Sequence, residues 1–369
     1  MKQERNKNGM GIRIGKLVGA LLGVLLLVVL GYVLYVVLSY KRIPDHVAAE
    51  ITKGVSDESR KVKTGEEYEI VTYNIGFGAY TPEFSFFMDG GKESVAKSKE
   101  SAEAMVSGAA SYVKEELDPD FVLWQEVDLD ATRSYHVDQY VLLRSYFQEY
   151  DSSFAVNYDS AFLFYPLTQP HGKSKAGLAV MSAYPIESAE RRSLPISTSF
   201  SKFTDLDRCY SINRIPVDNG KYLCLINLHL SAYGSSELIR QQQTAMLCED
   251  MEREYRAGNY VICGGDFNHD LKALEEDSAE RESWAHPFPR EVLPEGFRFC
   301  LDGLPDDQRE LLHNSARNAN EPYNPATTYT VTLDGFIISD NVECISYTNE
   351  DLQYAFSDHD PVALKFVLK

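Results

Sequence analysis

Several apolar, strand-like runs of this sequence end in side chains that can bind a metal ion or move a proton. Those side chains are Asn74 in V-T-Y-N, Glu126 in L-W-Q-E-V, His229 in N-L-H-L, Asp266 and Asn268 in G-G-D-F-N, Asp334 in L-D-G-F-I-I-S, and Asp358 and His359 in S-D-H-D-P-V. Burying a polar group without a partner is costly, so several of them at strand ends indicate one shared site. Taken singly, each is more typical of a turn or a cap, and the ordered set is what favours catalysis.

This set of side chains contains what the hydrolysis of a phosphoester requires. A hard cation prefers oxygen ligands, which Glu126 and Asp358 offer. An attacking water needs a base or an orienting carboxylate, and Asp266 and His359 are both candidates for that role. The sequence therefore predicts a metal-assisted phosphoester hydrolase, with the identity of the base left open between these two residues.

The remaining polar residues fit supporting roles. Charge that develops on phosphoryl oxygens needs fixed hydrogen-bond donors, which Asn74, Asn268 and His229 provide. A histidine that works beside a metal usually needs a carboxylate to fix its tautomer, and Asp334 is suited to that. Arg208, in D-L-D-R-C-Y ahead of the His229 strand, is a candidate for binding anionic groups of the substrate.

The six motifs occur in the order and approximate spacing of the endonuclease/exonuclease/phosphatase superfamily, which the chain resembles over residues 66–369. That superfamily includes DNase I-like nucleases, abasic-site endonucleases, inositol-polyphosphate phosphatases and sphingomyelinases. The resemblance implies an α/β fold of four layers, α/β/β/α, in which two packed β-sheets are flanked by helices. It also implies Mg²⁺, with Mn²⁺ or Ca²⁺ as alternatives, bound through Glu126 with help from Asn74 and Asp358.

The resemblance further implies how the other residues divide the chemistry. Asp266 and Asn268 would align or deprotonate the water and stabilise the transition state. His229 would contact the phosphate. His359, oriented by Asp334, would hold or protonate the phosphate.

The elements that must position these side chains alternate between strand and helix patterns, without an internal repeat. Apolar residues at helical spacing predict a helix over residues 93–117, and an amphipathic helix is predicted over 235–256. Residues 41–66 are polar and mixed in charge, which predicts a linker, and one catalytic domain is predicted over 67–369 with irregular loops in 273–324. Strands are predicted over 68–73, 121–124, 177–181, 222–230, 259–263, 328–338 and 362–367.

The run from Leu17 to Tyr40 contains no charged residue and exceeds the roughly 20 residues that span a bilayer as a helix. Five basic residues lie within 1–16, against Lys41 and Arg42 after the run. The positive-inside rule therefore predicts a cytoplasmic segment 1–16, a transmembrane helix over 17–40 and an extracellular catalytic domain. A cleaved signal peptide is disfavoured because its apolar core is usually only about 7–15 residues long. A single-pass anchor with a short basic N-terminus suits a bacterial cell-membrane protein.

Charge limits the substrate classes. The chain carries a net charge of −19, and residues 45–369 hold 29 basic and 54 acidic residues, a net charge near −25. Such a domain repels polyphosphates unless metal ions or a basic patch intervene, which disfavours a protein that binds duplex DNA by its backbone charge. The apolar run Phe84–Met88 is predicted either to touch lipid or an apolar substrate, or to pack into the core. His171 has no supporting context and is expected at the surface.

Three functions are compatible with these patterns. The first is a phosphodiesterase on the outer face of the membrane that acts on a lipid head group or another small phosphoester, and residues 127–135, V-D-L-D-A-T-R-S-Y, resemble the sphingomyelinase-like branch of the superfamily. The second is an extracellular DNase I-like nuclease. The third, a catalytically inactive membrane-tethered binding module, is disfavoured because every expected catalytic position is filled. No obligate protein partner is predicted.

Overall fold

Two mixed seven-stranded β-sheets form the centre of the molecule. The structure is a computed structural model that describes residues 2–54, 59–203, 205–231, 236–273 and 284–369, without the side chains of residues 2–12 and 201. Its α-helices in the described ranges are α1 (Lys2–Ser39), α2 (Lys99–Tyr112), α3 (Gln139–Tyr146), α4 (Glu237–Arg256) and α5 (Asp306–Leu311). Its strands are β1 (Val47–Ala48), β2 (Glu50–Thr52), β3 (Glu67–Asn74), β4 (Phe121–Ala131), β5 (Asp151–Asp159), β6 (Ser174–Ser182), β7 (Ser188–Ser193), β8 (Cys209–Pro216), β9 (Tyr222–His229), β10 (Tyr260–Asp266), β11 (Phe297–Phe299), β12 (Ala316–Arg317), β13 (Thr330–Val331), β14 (Asp334–Ser339), β15 (Val342–Asn349) and β16 (Val362–Leu368).

Each of the two sheets contains one parallel pair of neighbouring strands. One sheet has the order β1-β7-β8-β9-β10-β14-β11, and the other has the order β15-β16-β3-β4-β6-β5-β2. Within them β3 and β4 run parallel, as do β9 and β10, while the other neighbouring pairs are antiparallel. The parallel pairs matter for the site because both members end at the same edge of their sheet.

The alternation of side chains along the strands builds the layers. On β4, Leu123 faces the core between the sheets, which it shares with Ile226 of β9 and Ile262 of β10. The next residue, Trp124, faces the opposite way and packs with Val106 of α2. Helix α4 covers β10 of the other sheet. The predicted four-layer α/β/β/α fold is confirmed.

The predicted helix over 93–117 begins later in the structure. Ser98 caps α2, its side chain accepting a hydrogen bond from the backbone nitrogen of Ser101 at 3.1 Å, so the six residues before Lys99 lie outside the helix. A capping serine supplies a bond that the first helical turn cannot make internally, which fixes the start of the helix. A π-helical turn, Val113–Leu117, continues α2 to the predicted end, where Asp118 adopts a left-handed φ of 43° directly before Pro119.

Residues 41–66 differ from the predicted linker. Strand β1 pairs with β7 and β2 pairs with β5, so this segment adds an edge strand to each sheet. The buried Asp151 carboxylate accepts bonds from the backbone of Gly54 at 2.9 Å and from Nζ of Lys53 at 2.8 Å. Val62 is buried in the core between the sheets. The polar composition arises because these strands lie at sheet edges, where one face meets solvent. Residues 55–58 of the predicted linker lie outside the described residues.

We expect residues 41–66 to contribute to stability. A chain that begins at Glu67 should have a free energy of unfolding lower by at least about 2 kcal/mol than a chain that begins at Lys41, since burial of Val62 alone is of that size. Urea titration of the two soluble chains, both without α1, measures the difference. Equal free energies of unfolding for the two chains would mean that residues 41–66 act only as a linker.

Helix α1 places no described residue in the core cluster between the sheets. Its stretch Arg13–Ser39 is long and apolar enough to cross a membrane, and almost all of it is exposed. A buried core helix of a soluble protein would not be exposed in this way. The side chains of Lys2, Arg5 and Lys7, which contribute to the predicted orientation, lie outside the described side chains. The helix contains the predicted span 17–40 apart from Tyr40, which directly follows it.

Candidate active site

The polar strand ends named from the sequence meet at one edge of the two packed sheets. Asn74 ends β3, His229 ends β9 and Asp266 ends β10, and Asp334 begins the antiparallel β14 at the same level. Across the sheet, Asp266 is the direct neighbour of His229 on one side and of Asp334 on the other. The parallel pairs therefore deliver side chains from both sheets to a common edge, as expected where carboxyl ends of parallel strands lie together.

Glu126 reaches the site through an irregularity in β4. The pairing of β4 with β6 shifts between Trp124 and Val127, and Glu126 has a φ of 56°, which is uncommon for a residue other than glycine. A bulge of this kind redirects a side chain out of the regular alternation. The preceding residue, Gln125, instead points between the sheets and donates to Oδ1 of Asn227 at 2.7 Å. Because of the bulge, the amide of Gln125 lies between the sheets while the carboxylate of Glu126 faces the site.

Asn74 links the two carboxylates nearest to it. Its Nδ2 lies 3.1 Å from Oδ2 of Asp266 and 3.3 Å from Oε1 of Glu126. Its Oδ1 accepts a hydrogen bond of 3.0 Å from the backbone nitrogen of Gly76. A Cβ atom on Gly76 would lie 2.9 Å from Oδ1 of Asp358, and Gly76 has a φ of 51°, so this close approach requires glycine. These contacts bring Asn74, Glu126, Asp266 and Asp358 to one place.

His359 and Asp334 form a buried pair beside these carboxylates. Nδ1 of His359 lies 2.7 Å from Oδ2 of Asp334, and the hydroxyl of Ser315 donates to the same oxygen at 2.7 Å. Burial lowers the pKa of His359, but the carboxylates of Asp334, Asp266 and Asp358 outweigh it and raise that pKa well above its ordinary value. His359 is therefore a cation at neutral pH, with Nε2–H directed away from Asp334.

Asp266 lies at the centre of the group. Its Oδ2 is 3.5 Å from Nε2 of His229 and 3.8 Å from Nε2 of His359, and its Oδ1 accepts a 2.8 Å bond from the backbone nitrogen of Asn268. Burial raises the pKa of Asp266 to about 7, with the cation of His359 opposing the shift and the charge of Asp334 adding to it. The two histidine distances are longer than ordinary hydrogen bonds, so neither imidazole is bonded to Asp266 and both Nε2 atoms remain available to a substrate or a water.

His229 is the neutral histidine of the site. Burial and the nearby Arg208 guanidinium hold the pKa of His229 well below its ordinary value. Arg208 donates from Nη1 to the carbonyl of Leu230 at 2.8 Å, and Asn268 donates from Nδ2 to the same carbonyl at 3.0 Å. Within the described part of the chain, the buried Nε of Arg208 and Nδ1 of His229 have no hydrogen-bond partner. Because a buried polar atom without a partner is costly, these two atoms are candidates for contact with a bound substrate.

The side chains around Glu126 fit a divalent cation. Burial raises the pKa of Glu126, the Arg133 guanidinium opposes the shift, and the charge of Asp358 adds to it. Two carboxylates that repel one another and remain partly exposed suit a hard dication, which prefers carboxylate and amide oxygens. The ligand atoms of Asp266, Asp334 and His359 also lie within 4.8 Å of one another. In that second group, however, Oδ2 of Asp334 is already hydrogen-bonded to His359 and Ser315. This favours a role in proton transfer over metal binding.

The structure thus brings together the sequence-predicted residues Asn74, Glu126, Arg208, His229, Asp266, Asn268, Asp334, Asp358 and His359 at one edge of the sheets. A second cluster of titratable side chains consists of His313, Asp351 and Asp360. No catalytic or metal-binding role is assigned to it. Asp360 accepts from the backbone of Leu352 and Tyr354 at 3.2 Å each and lies 2.9 Å from Nε2 of His313. These bonds tie a loop to the S-D-H-D-P-V motif, which gives Asp360 a structural role.

Two buried polar residues near the site were not assigned from the sequence. The Arg133 guanidinium lies 3.9 Å from the ring centroid of Phe77 and pairs with Asp128 at 2.8 Å. Asn227 donates to the backbone carbonyls of Trp124 at 3.0 Å and Ala179 at 2.9 Å, so it fastens one sheet to the other. Arg133 lies in the quoted run V-D-L-D-A-T-R-S-Y, and Asn227 lies two residues before His229, but composition alone does not distinguish them from surface residues.

His171, which was expected at the surface, is buried. Its Nδ1 lies 2.9 Å from the carbonyl oxygen of Ser94, and its ring packs edge-on to Phe77 at 6.5 Å. Burial, with the Arg133 charge nearby, lowers the pKa of His171 to about 4. The expectation was wrong because nothing in the surrounding sequence shows that three aromatic rings, Phe77, Phe86 and Phe87, enclose this imidazole.

This buried imidazole predicts an acid-sensitive fold. Between pH 6.5 and about 4 the unfolded chain binds a proton at His171 that the folded chain does not, so stability falls as the pH falls through that window. The free energy of unfolding should decrease by about 2 kcal/mol between pH 7 and pH 5 because of this residue. Urea titration of the wild type and of His171→Asn, whose amide can still donate to Ser94, measures it. The idea fails if the Asn variant loses as much stability as the wild type.

The sequence matches the family described as Endonuclease/Exonuclease/phosphatase over residues 71–359, which contain every residue of the site. The chain belongs to the endonuclease/exonuclease/phosphatase family. Members of this family are hydrolases of phosphoester bonds, and its enzymes generally use divalent metal ions. No curated protein matches the sequence.

Solved structures of the family share the fold at low sequence identity. The endonuclease/exonuclease/phosphatase from Beutenbergia cavernae DSM 12333 is 15% identical with a TM-score of 0.54, and the match covers 82% of this chain and 72% of that chain. The human Nocturnin catalytic domain with bound sulfate anion is 17% identical with a TM-score of 0.52, covering 87% and 98%. TDP2 from C. elegans is 18% identical with a TM-score of 0.50, covering 82% and 76%. These similarities establish the fold.

Proposed function

We propose that this protein is a membrane-anchored, divalent-metal-dependent phosphodiesterase whose active site is the group of residues around Asp266. One observation carries the proposal: Asn74 hydrogen-bonds to both Asp266 and Glu126, and the His359–Asp334 pair lies within 4 Å of the same Asp266 carboxylate. A metal-binding carboxylate, a proton acceptor and a cationic donor therefore face one small volume. This is the arrangement that phosphoryl transfer needs.

Asn74, Glu126 and Asp358 would hold the metal ion through oxygen atoms. Mg²⁺ is the expected ion, and Mn²⁺ or Ca²⁺ also prefer such ligands. When bound, the ion supplies positive charge that offsets the charge of the phosphoryl oxygens. Oδ1 of Asn74 receives the Gly76 backbone bond, which leaves its second lone pair available.

Asp266 is the group we assign to the attacking water. A carboxylate with a pKa of about 7 accepts a proton efficiently near neutral pH. As the water oxygen forms its bond to phosphorus, its proton passes to Asp266, and the bond from phosphorus to the leaving oxygen breaks. Asn74 and Asn268 hold the two oxygens of Asp266 in place through bonds of 3.1 and 2.8 Å.

His359 is the group we assign to the phosphoryl and leaving oxygens. It is held as a cation by Asp334, and its Nε2–H points toward the gap beside Asp266. In that position it donates to a phosphoryl oxygen or gives its proton to the leaving alkoxide. His229 contributes a neutral donor, and the unpaired Nε–H of Arg208 is available to the substrate anion. Asn268 keeps one side-chain N–H free after bonding to Leu230.

The substrate we propose is a lipid head group or another small phosphoester. Support comes from the charge near −25 on residues 45–369, which opposes binding of long nucleic acids, and from the apolar α1. Further support comes from the loop Phe84–Met88, in which Phe84 is buried while Met88 is 67% exposed. Phe84 thus packs into the core, while contact of the exposed Met88 with lipid or an apolar substrate stays a proposal.

The orientation we propose places residues 1–16 in the cytoplasm and the catalytic domain outside the cell membrane. The support is the excess of basic residues before the apolar run. A nuclease that acts outside the cell is the second candidate, because the family also hydrolyses phosphodiesters in nucleic acids.

Hydrolysis of bis-p-nitrophenyl phosphate by residues 41–369 tests the proposal, with Mg²⁺, Mn²⁺ or EDTA. We expect turnover that EDTA abolishes and that His359→Ala lacks. Sphingomyelin vesicles and plasmid DNA are then compared as substrates, and preferential cleavage of the plasmid would favour the nuclease. A folded protein whose melting temperature rises with metal but which cleaves none of the three would be a binding module.

A further inference from the structure

The segment between β5 and β6 exposes large apolar side chains. Residues 161–170, A-F-L-F-Y-P-L-T-Q-P, contain no charged residue. In this segment Phe164 is 51% exposed, Tyr165 is 70% exposed and Leu167 is 83% exposed. Such clustering of large apolar groups on a surface is typical of a contact with another molecule or with a membrane.

This apolar loop is bonded to helix α1. The hydroxyl of Tyr32 donates to the carbonyl of Phe162 at 3.1 Å and accepts from the backbone nitrogen of Phe164 at 3.2 Å. The hydroxyl of Tyr35 accepts from the backbone nitrogen of Phe162 at 3.2 Å. The rings of Tyr32 and Phe164 pack edge to face at 5.2 Å. The loop therefore lies against the helix itself, before the helix ends.

The depth of that contact follows from helix geometry. Tyr32 lies seven residues before Ser39, the last residue of α1, which is about 10 Å along the axis. Counted from Leu17, the start of the uncharged run, Tyr32 is about 22 Å along a helix that must cross about 30 Å of hydrocarbon. If α1 spans the membrane, the residues bonded to Tyr32 lie below the outer boundary of the hydrocarbon.

A second aromatic loop lies beside the end of α1. The ring of Phe203 packs edge to face with Tyr40 at 5.2 Å, and Phe200 packs with Phe203 at 5.1 Å. Phe200 itself is mostly exposed. Nζ of Lys202 lies 5.0 Å from the Phe203 ring, which places a cation at the level where lipid head groups begin.

A chain of ring contacts connects the first loop to the active site. Tyr165 packs with Phe87 at 5.8 Å, Phe87 with His171 at 5.9 Å, and His171 with Phe77 at 6.5 Å. Phe77 follows Gly76, whose backbone approaches Asp358. Through these rings the apolar loop packs against the segment that carries Gly76.

We propose that residues 162–167 and Phe200 insert into the outer leaflet beside α1, so that the active site opens onto the membrane that anchors the chain. This rests on the proposed membrane anchoring and deepens it: the substrate class becomes phosphodiester lipids of the same membrane. The aromatic and aliphatic side chains replace contacts with water by contacts with acyl chains.

Quenching by brominated lipid tests the insertion without reference to activity. The full chain carrying Leu167→Trp is reconstituted in phosphatidylcholine vesicles with and without dibrominated acyl chains. Ile345→Trp is the matched control, because Ile345 is an exposed apolar residue on β15. That strand lies four strand steps, about 19 Å, from β6, the strand that follows the loop.

We expect the fluorescence added by the tryptophan at position 167 to be mostly quenched, and that added at position 345 to be unaffected. Equal quenching at both positions, or none at 167, overturns the insertion. Neither result depends on turnover of bis-p-nitrophenyl phosphate, so failure of the insertion and failure of the proposed function are separable.

A double variant, Tyr165→Ser with Leu167→Ser, tests the consequence for substrate access. Both side chains are exposed, so folding should be retained. We expect unchanged turnover of bis-p-nitrophenyl phosphate. Hydrolysis of phosphodiester lipid in the vesicles that contain the reconstituted protein should fall strongly. Unchanged hydrolysis of that lipid would overturn the role of the loop in presenting membrane substrates.

Discussion

Replacing Asp266 by Asn is expected to lower kcat for bis-p-nitrophenyl phosphate by about 10³-fold, within the range for loss of a general base. The amide keeps the oxygen that accepts from the backbone of Asn268, but it cannot take a proton from water. Because burial raises the pKa of Asp266 to about 7, wild-type activity should also rise with pH toward neutrality as this group loses its proton.

The kinetic parameters and the pH profile together identify the role of Asp266. The residual activity of Asp266→Asn should lack the acid limb of the wild-type profile. Asp340→Asn is the matched control, because Asp340 follows the far end of β14 and accepts from the hydroxyl of Tyr255. If Asp266→Asn retains the acid limb, another group is the general base, and His359 is the first candidate.

Replacing Glu126 by Gln is expected to weaken binding of the metal by at least about 100-fold, the upper end of what loss of a supporting residue costs at such sites. Removal of the carboxylate deletes an oxygen charge that the ion would neutralise. In the absence of metal the variant should be no less stable than the wild type, because burial and repulsion from Asp358 raise the pKa of Glu126. The charge is thus unfavourable until an ion is present.

Thermal unfolding with and without Mn²⁺ measures both effects. At a metal concentration about 1,000 times the wild-type Kd, stabilisation should fall from about 4 kcal/mol to about 1.4 kcal/mol. Glu343→Gln, at an exposed position on β15, is the control. If the metal stabilises Glu126→Gln as much as the wild type, the ion binds elsewhere, and the group of Asp266, Asp334 and His359 becomes the candidate site.

The strands that carry the site residues hold them in fixed positions, which also explains why the site tolerates buried charged groups. Asp266 and His229 end neighbouring strands of one sheet and Asn74 ends β3 of the other, so sheet hydrogen bonds hold the backbone that carries each of them. Rigid placement of this kind lets donors and acceptors face one another before the substrate arrives. The buried Nε of Arg208, unpaired among the residues the structure describes, remains available to the substrate.

The sequence by itself determined the fold class, the family and the chemistry. An apolar strand that ends in a carboxylate, an amide or an imidazole is a local pattern, and Asn74, Glu126, Asp266 and His359 each lie in one. Their order along the chain carried the resemblance to the family, and that resemblance implied the four-layer fold, which the structure and the family match confirm. The assignment of roles to these residues stays a proposal.

The tertiary structure decided what depends on distant segments meeting. Residues 47–52 are too few to show an alternating pattern, and only the exposed edges of β7 and β5 make them strands. The burial of His171 and the position of Arg133 over Phe77 likewise depend on loops far apart in sequence. The contact of Tyr32 with Phe164 joins residues 132 positions apart. Periodicity and residue chemistry are local properties of a sequence, whereas burial and proximity arise only when the chain closes on itself.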